Sequence, residues 1–348
     1  MEFLGKLSNA DALAGQEAEV RNLMHQKMKG ADDVSCDNLG SLICKLDGTK
    51  PGPKIMFAAH MDEVGFIVRY VAEGGQIFVK PMGAVLPLAK FMQAVRITNS
   101  KGEKIKGYLY STYTEDKPNT EIPGETYVDV GAKTAKEVEA LGIEIGNIVC
   151  FDSQFSQIGK NVVMGKGFDD RIGCYILTRV FENLKKAKHP NTVYFTATSS
   201  EEVGTRGAQT SALKINPDVA FVVDCCCYKD EFDRSAKNKR QIGNGMILTH
   251  SDIGQEFNQE LLKFIKSIAK KLNKNLQLDM FARGATDGMK IHLNGEGVPT
   301  AVCCVPLRYG HCSYSLAYKK DIEDTIAILT EVFKNLDDKK FKSFLKFI

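Results

Sequence analysis

RIGCYILTRVFENLKKAKHPNTVYFTATSS, residues 171–200, changes its period once, and that change decides the fold. Residues 171–187 read as a helix, whereas 191–200, rich in Thr, Val, Tyr and Phe, read as a strand. The same alternation continues outward. DVAFVVDCC (218–226) and PTAVCCVP (299–306) read as strands, and NQELLKFIKSIAKKL (258–272) and DIEDTIAILTEVFKNL (321–336) as helices. Upstream, KIMFAAHMDEVG (54–65) is a strand that breaks into polar residues, and residues 8–30 form one amphipathic helix capped by Ser8 or Asn9. Strands alternating with helices imply an α/β fold whose sheet carries helices on both faces. Between residues 70 and 158 the texture changes to short alternating segments broken by Gly, Asn-Ser and Lys-Gly, with one helix from Thr134 to Gly142. A small β-rich module therefore interrupts the α/β domain.

The bulk numbers exclude several classes. The 348 residues carry 46 basic and 43 acidic side chains, a net charge of +3. That balance speaks against nucleic-acid or anionic-membrane partners. No apolar run has the length to span a bilayer. The first residues lack a signal peptide's apolar centre, so the expected location is cytoplasmic. Ten cysteines, three of them consecutive (Cys225, Cys226, Cys227), include no CxxC pair. They read as buried free thiols kept reduced by the compartment.

In open α/β sheets, sites collect beyond the carboxyl ends of strands. Five segments end an apolar run there with His, Asp or Glu: His60 and Asp62, Asp169 and Asp170, Glu201 and Glu202, Asp224, and His311. A carboxylate directly after a buried run such as FVVD is costly to leave unpaired. Imidazoles and carboxylates without a thiolate set suit zinc, cobalt or manganese. Many carboxylates beside few histidines suit two cations. Neighbours in a strand face opposite ways, so Glu201 and Glu202 are expected to serve different partners.

AAHMDEVG (58–65), GKGFDDRIG (165–173), SSEEVGTRGA (199–208), FVVD (221–224) and RYGH (308–311) resemble, in this order, the co-catalytic metallo-aminopeptidases of the tetrahedral (TET) type. These include glutamyl and deblocking aminopeptidases, and some carry an endoglucanase label. The resemblance covers nearly the whole chain. It implies a mixed-sheet aminopeptidase domain, discontinuous over 1–69 and 159–348, interrupted by a β-barrel-like dimerisation domain at 70–158. It implies two divalent ions per subunit, zinc or cobalt first and manganese next. His60, Asp169 and Asp224 would hold one ion; Asp169 would bridge to a second held by Glu202 and His311. Asp62 would orient His60, and the Asp169–Asp170 peptide would be cis. Glu201 would be the general base acting on a metal-bridging water. The substrates would be short peptides trimmed from the amino terminus, and dimers would assemble into a tetrahedral dodecamer. Thr286, Asp287 and Arg283 would lie on the substrate side.

Two stretches depart from the family. HCSYSLAYKKD (311–321) replaces a His-Ser/Thr-Pro-x-Glu segment, and RGATDGMKIH (283–292) stands where relatives have Gly-Gly-Thr-Asp-Ala-Gly. Other chemistries for the same acids are a carboxypeptidase or deacylase, with Arg283 or Arg308 receiving a substrate carboxylate, and a glycoside hydrolase. The last leaves His60 and His311 without roles, and the chain has no Trp for sugar platforms. A non-catalytic scaffold predicts a missing ligand or base, yet every position is filled.

Overall fold

The computed structural model describes residues 1–50, 52–111, 125–228, 240–281 and 284–348. The chain opens with α1 (Glu2–Asn9), α2 (Ala18–Lys27), β1 (Asp33–Cys36), β2 (Leu42–Leu46) and β3 (Lys54–His60). Then come β4 (Gly65–Val71), β5 (Ile77–Met82), β6 (Gln93–Thr98), β7 (Lys104–Ser111), β8 (Thr126–Asp129), α3 (Ala135–Ala140) and β9 (Ile148–Phe151). The rest runs β10 (Ser156–Ile158), β11 (Val162–Gly165), α4 (Phe168–Lys185), β12 (Thr192–Thr198), α5 (Arg206–Ile215) and β13 (Val219–Tyr228). It continues through β14 (Met246–Thr249), α6 (Gln259–Lys271), β15 (Leu276–Asp279), α7 (Gly288–Ile291), β16 (Thr300–Arg308), β17 (Ser315–Tyr318), α8 (Lys319–Asn335) and α9 (Asp338–Phe344).

Among the described residues, eleven strands form one mixed sheet. At its centre β12, β3, β13 and β16 lie side by side and parallel, with Thr198 opposite His60 and Val222 opposite Ala58. Parallel strands covered on both faces read as continuous apolar runs, which is why KIMFAA, VAFVV and TAVCCV carry almost no polar residue. Helices α4 and α8 pack on one face and α5 and α7 on the other. Phe57, Phe195, Phe221 and Phe333 meet edge to face between the sheet and α8. The four parallel strands deliver their carboxyl ends to one rim, and that rim holds the polar residues.

Strands β4 to β9 close an antiparallel barrel in the order β4-β5-β8-β7-β6-β9. Its core holds Phe66, Ile77, Val95, Ile97, Leu109, Val128, Val149 and Phe151, every one buried. Closure leaves the short strands no open edge. Thr134 caps α3 as its sequence suggests, accepting a hydrogen bond from the Glu137 N–H.

The single helix expected over 8–30 is two helices. Ala10 is extended and Gly15 has φ +81°, and between them the chain crosses the junction of barrel and sheet. Neither expected cap is one: the Ser8 hydroxyl donates to the Lys166 carbonyl (2.7 Å), and Asn9 Oδ1 accepts from the Phe155 N–H (2.8 Å). The crossing segment places Asp11 in a buried charge network. Arg96 of β6 grips Asp11 with two bonds of 2.6 Å, and Lys166 Nζ lies 3.0 Å from Asp11 Oδ1. Lys166 also donates to Glu63 (2.6 Å), which accepts from Arg171 (3.1 Å). Burial pushes the Asp11 carboxyl up, but the charges of Lys166 and Arg96 outweigh it and hold it well below the usual carboxylate range. Asp11→Asn is expected to cost about 3–5 kcal/mol at neutral pH, because it strands buried cations. A depressed folded pKa gives stability that is present above the unfolded value of about 3.9 and lost as pH falls below it. Urea denaturation should therefore show the gap between variant and parent closing in acid.

Candidate metal centre and active site

His60 closes β3 and is buried. Its Nε2 lies 3.1 Å from Asp169 Oδ1, and its Nδ1 faces the carbonyl (3.0 Å) and the carboxylate (3.4 Å) of Asp62. Asp169 stands where the chain leaves β11 and enters α4. Gly167 (φ +57°) turns the chain there, Asp169 and Asp170 are not yet helical, and the peptide bond between them is cis. The second Asp169 oxygen, Oδ2, lies 3.2 Å from His311 Nε2. One carboxylate thus faces two imidazoles, one through each oxygen.

Two overlapping ligand sets follow: His60, Asp169 and Asp224, and Asp169, Glu202 and His311, with donor atoms in each set within 4.8 Å of one another. Asp224 sits on β13 and accepts from its neighbour's N–H (2.6 Å). Glu202 Oε1 is buried without a hydrogen bond and lies 3.5 Å from His311 Nε2. His311 follows β16 on a loop where Tyr309 and His311 have positive φ, and its Nδ1 lies 3.2 Å from the Ala84 carbonyl. Ala84 follows the barrel strand β5, so the barrel supports the site directly.

The expectation that Glu201 and Glu202 project from opposite faces of a strand is corrected. β12 ends at Thr198, and Ser200 takes φ +58°, which starts a tight turn. Both glutamates lie in that turn. Asp62 holds it from below: its Oδ1 accepts the Glu201 N–H (3.0 Å) and its Oδ2 the Glu202 N–H (3.1 Å). Glu202 belongs to a ligand set, while Glu201 is in neither. The two acids are separated by a turn rather than by a pleat.

Thr286 lines the same cleft as these groups. Asp287 stands behind it, at the N-cap of α7, but makes no capping bond; it accepts from the Thr198 hydroxyl instead. Arg283 lies outside the described residues. The cleft, about 1050 Å³, is walled by Leu86, Leu88, Phe281, Tyr309 and Tyr314. Arg240 reaches it with its guanidinium paired to Asp279 and set over Phe281. The consecutive thiols Cys225, Cys226 and Cys227 line it as well.

Burial, and then neighbouring negative charge, set the electrostatics. Burial pushes the Asp224 and Glu201 carboxyls well up, Glu202 to about 7 and Asp287 to about 6. Burial alone would lower the imidazoles, but Asp169 and Glu202 raise His311 to about 10, and Asp169 and Asp62 raise His60. Asp169 is the exception among the acids: burial raises it, yet His311 and His60 together hold it below the usual range. Buried carboxylates crowded beside two imidazoles, with Glu202 Oε1 lacking a hydrogen bond among the described residues, are a donor set that fits divalent metal ions. Asp11, Glu63 and Cys150 also cluster, but Lys166, Arg96 and Arg171 already supply the positive charge there.

Five contributors were not visible in the sequence. Glu63, Lys166 and Arg171 brace the floor of the site from the buried network, and nothing local marks them as buried. Glu17 reaches the Ser200 N–H from far away in sequence. The Ala84 carbonyl carries no side-chain signal at all.

Comparison with known proteins shows the family and the fold. The M42 glutamyl aminopeptidase family matches residues 40–328. The lysyl aminopeptidase of Pyrococcus furiosus is 31% identical over 348 residues, 98% of each chain. The crystal structure of a TET aminopeptidase from the marine sediment archaeon Thaumarchaeota archaeon SCGC AB-539-E09 superposes with a TM-score of 0.94 at 34% identity, covering 99% of this chain and 98% of that one. Pyrococcus horikoshii TET1 peptidase, which can assemble into a tetrahedron or a large octahedral shell, shares the fold at 24% identity (TM-score 0.86, covering 96% of this chain and 99% of that one). The chain belongs to the M42 glutamyl aminopeptidase family and is a peptide hydrolase.

Proposed function

We propose that this chain is a dinuclear metal-dependent aminopeptidase that removes amino-terminal residues from short peptides. The observation that carries the reading is Asp169, with one oxygen 3.1 Å from His60 and the other 3.2 Å from His311. His60, Asp169 and Asp224 would hold one ion, and Asp169, Glu202 and His311 the other, zinc or cobalt before manganese. Such ions, when bound, acidify water and polarise a carbonyl.

The chain's own residues do the rest. Asp62 orients His60 and clamps the turn that presents both glutamates. Glu201, outside either ligand set, accepts a proton from the attacking water and returns it to the leaving amine. Glu202 cannot share this role while its oxygens are committed to an ion. Thr286 lines the substrate side, Asp287 next to it is anchored to the Thr198 hydroxyl, and we keep Arg283 and Asp287 as substrate-side candidates.

We further propose a catalytic domain over 1–69 and 159–348 and a dimerisation insert over 70–158; the closed barrel of strands between Gly65 and Phe151 supports such an insert. Homo-oligomerisation, up to a tetrahedral dodecamer, is supported by the TET relatives. No helix among the described residues is long and apolar enough to cross a membrane. A cytoplasmic setting is supported by ten free thiols, most of them buried.

A panel of aminoacyl-coumarins tests the reaction class. Chelator-stripped protein should be inactive, and zinc, cobalt or manganese should restore hydrolysis of substrates with a free amino terminus but not of their acetylated counterparts. Hydrolysis confined to carboxy-terminal substrates or acylated amines, or activity that survives the chelator, contradicts the reading.

A further inference from the structure

We propose that Glu17 is a positioning residue for the catalytic turn, holding Glu201 at its working place through the backbone of Ser200. Glu17 occupies the N-cap position of α2, where a carboxylate ordinarily accepts from the helix's own first N–H groups. It makes no such bond. Its Oε1 accepts instead from the Gly15 N–H (2.8 Å) and from the Ser200 N–H (3.1 Å), the latter 183 residues away in sequence. The side chain is 1% exposed.

Ser200 is the residue that needs holding. Its φ of +58° is in the left-handed region, which costs free energy for any residue other than glycine. The turn persists only if its surroundings over-determine it. Four consecutive N–H groups are each captured: Ser199 by the Ser41 hydroxyl (3.1 Å), Ser200 by Glu17, and Glu201 and Glu202 by the two oxygens of Asp62. Three of these donors point at two buried carboxylates, from the N-terminal loop and from the end of β3. Asp62 takes the Glu201 and Glu202 N–H groups, and the Ser200 N–H goes to Glu17. Without Glu17 the Ser200 N–H loses its acceptor, and the residue before Glu201 is freed to return to extended backbone. A shift of about 1 Å in a catalytic group costs on the order of a hundredfold in rate. Asp62 holds both glutamate N–H groups, but Glu202 would also be tethered by any ion it holds, so the loss falls on Glu201.

This inference rests on Glu201 as the general base. Glu17→Ala is expected to lower kcat by tenfold or more, with KM and metal content close to the parent's. Glu17→Gln keeps an acceptor oxygen at the same reach and is expected to retain kcat within threefold. A role confined to docking the N-terminal loop would instead lower thermal stability and leave the kcat of the folded fraction unchanged. If the Ala variant does not fold, Glu17→Asp carries the test, since it draws the oxygen back by one methylene while keeping the charge; the same drop in kcat is expected. Parental kcat in folded Ala or Asp variants overturns the proposal, as does a tenfold loss in the Gln variant. Glu201→Gln, measured alongside, separates the two readings. If it retains turnover, the base assignment fails; if it is inactive while Glu17→Ala is unaffected, only the positioning role fails.

Discussion

Glu201→Gln is expected to lower kcat roughly a thousandfold, the middle of the range for loss of a general acid–base group, while metal content stays at the parent's level. The amide is nearly isosteric, so the turn from Ser200 to Thr205 should persist: the Glu201 N–H still reaches Asp62, and its carbonyl still accepts from Gly204 and Thr205 (both 2.8 Å). What disappears is the capacity to take a proton. KM should change little, because the side chain is asked to act in the transition state and not in the ground state. Glu202→Gln makes the informative contrast. Its oxygens belong to the second ligand set, so it should lose metal along with activity. Equal loss of activity in both variants, with metal fully retained in both, contradicts this division of labour.

Asp169→Asn is expected to be the more damaging change for metal content. Asp169 is common to both ligand sets, and its two oxygens face different imidazoles. An amide offers one oxygen and turns the other position into a donor, so it cannot face both sides as an anion. Loss of two-ion stabilisation is worth several kcal/mol, or about three orders of magnitude in rate. Plasma mass spectrometry of the purified variant should find the content of both ions reduced, whereas His311→Ala should reduce mainly one. Metal content in Asp169→Asn equal to the parent's contradicts a bridging role.

The central sheet was legible because its strands are parallel and covered on both faces, so burial leaves runs such as VAFVV in plain view. The site's acids and histidines were legible for a related reason: a charge that interrupts or ends a buried apolar run stands out. His60, Asp169, Glu202 and His311 lie together because four segment ends meet at one rim, and Asp224 joins them from within β13, which runs on to Tyr228. Local patterning could not show where the N-terminal segment turns. Its apolar residues keep a helical spacing through Leu13, but Gly15 and the demand for Asp11 at the barrel junction break the helix. Nor could a sequence pattern show that Ser200 leaves the strand early, since its positive φ is imposed by acceptors at Glu17 and Asp62. The buried pairing of Glu63 with Lys166 was hidden as well, because charged residues flanked by glycine in MGKGFDD read as a solvated turn. Long-range partners decide all of these placements, and they come from segments 85 to 183 residues apart.

The most direct test is anomalous diffraction from a crystal loaded with cobalt. Two peaks are expected on either side of the Asp169 carboxylate, one within ligand distance of His60 and Asp224 and the other of Glu202 and His311. No peak in the space between His60 and His311, or a single peak that leaves one imidazole uncoordinated at full loading, contradicts the shared-carboxylate centre.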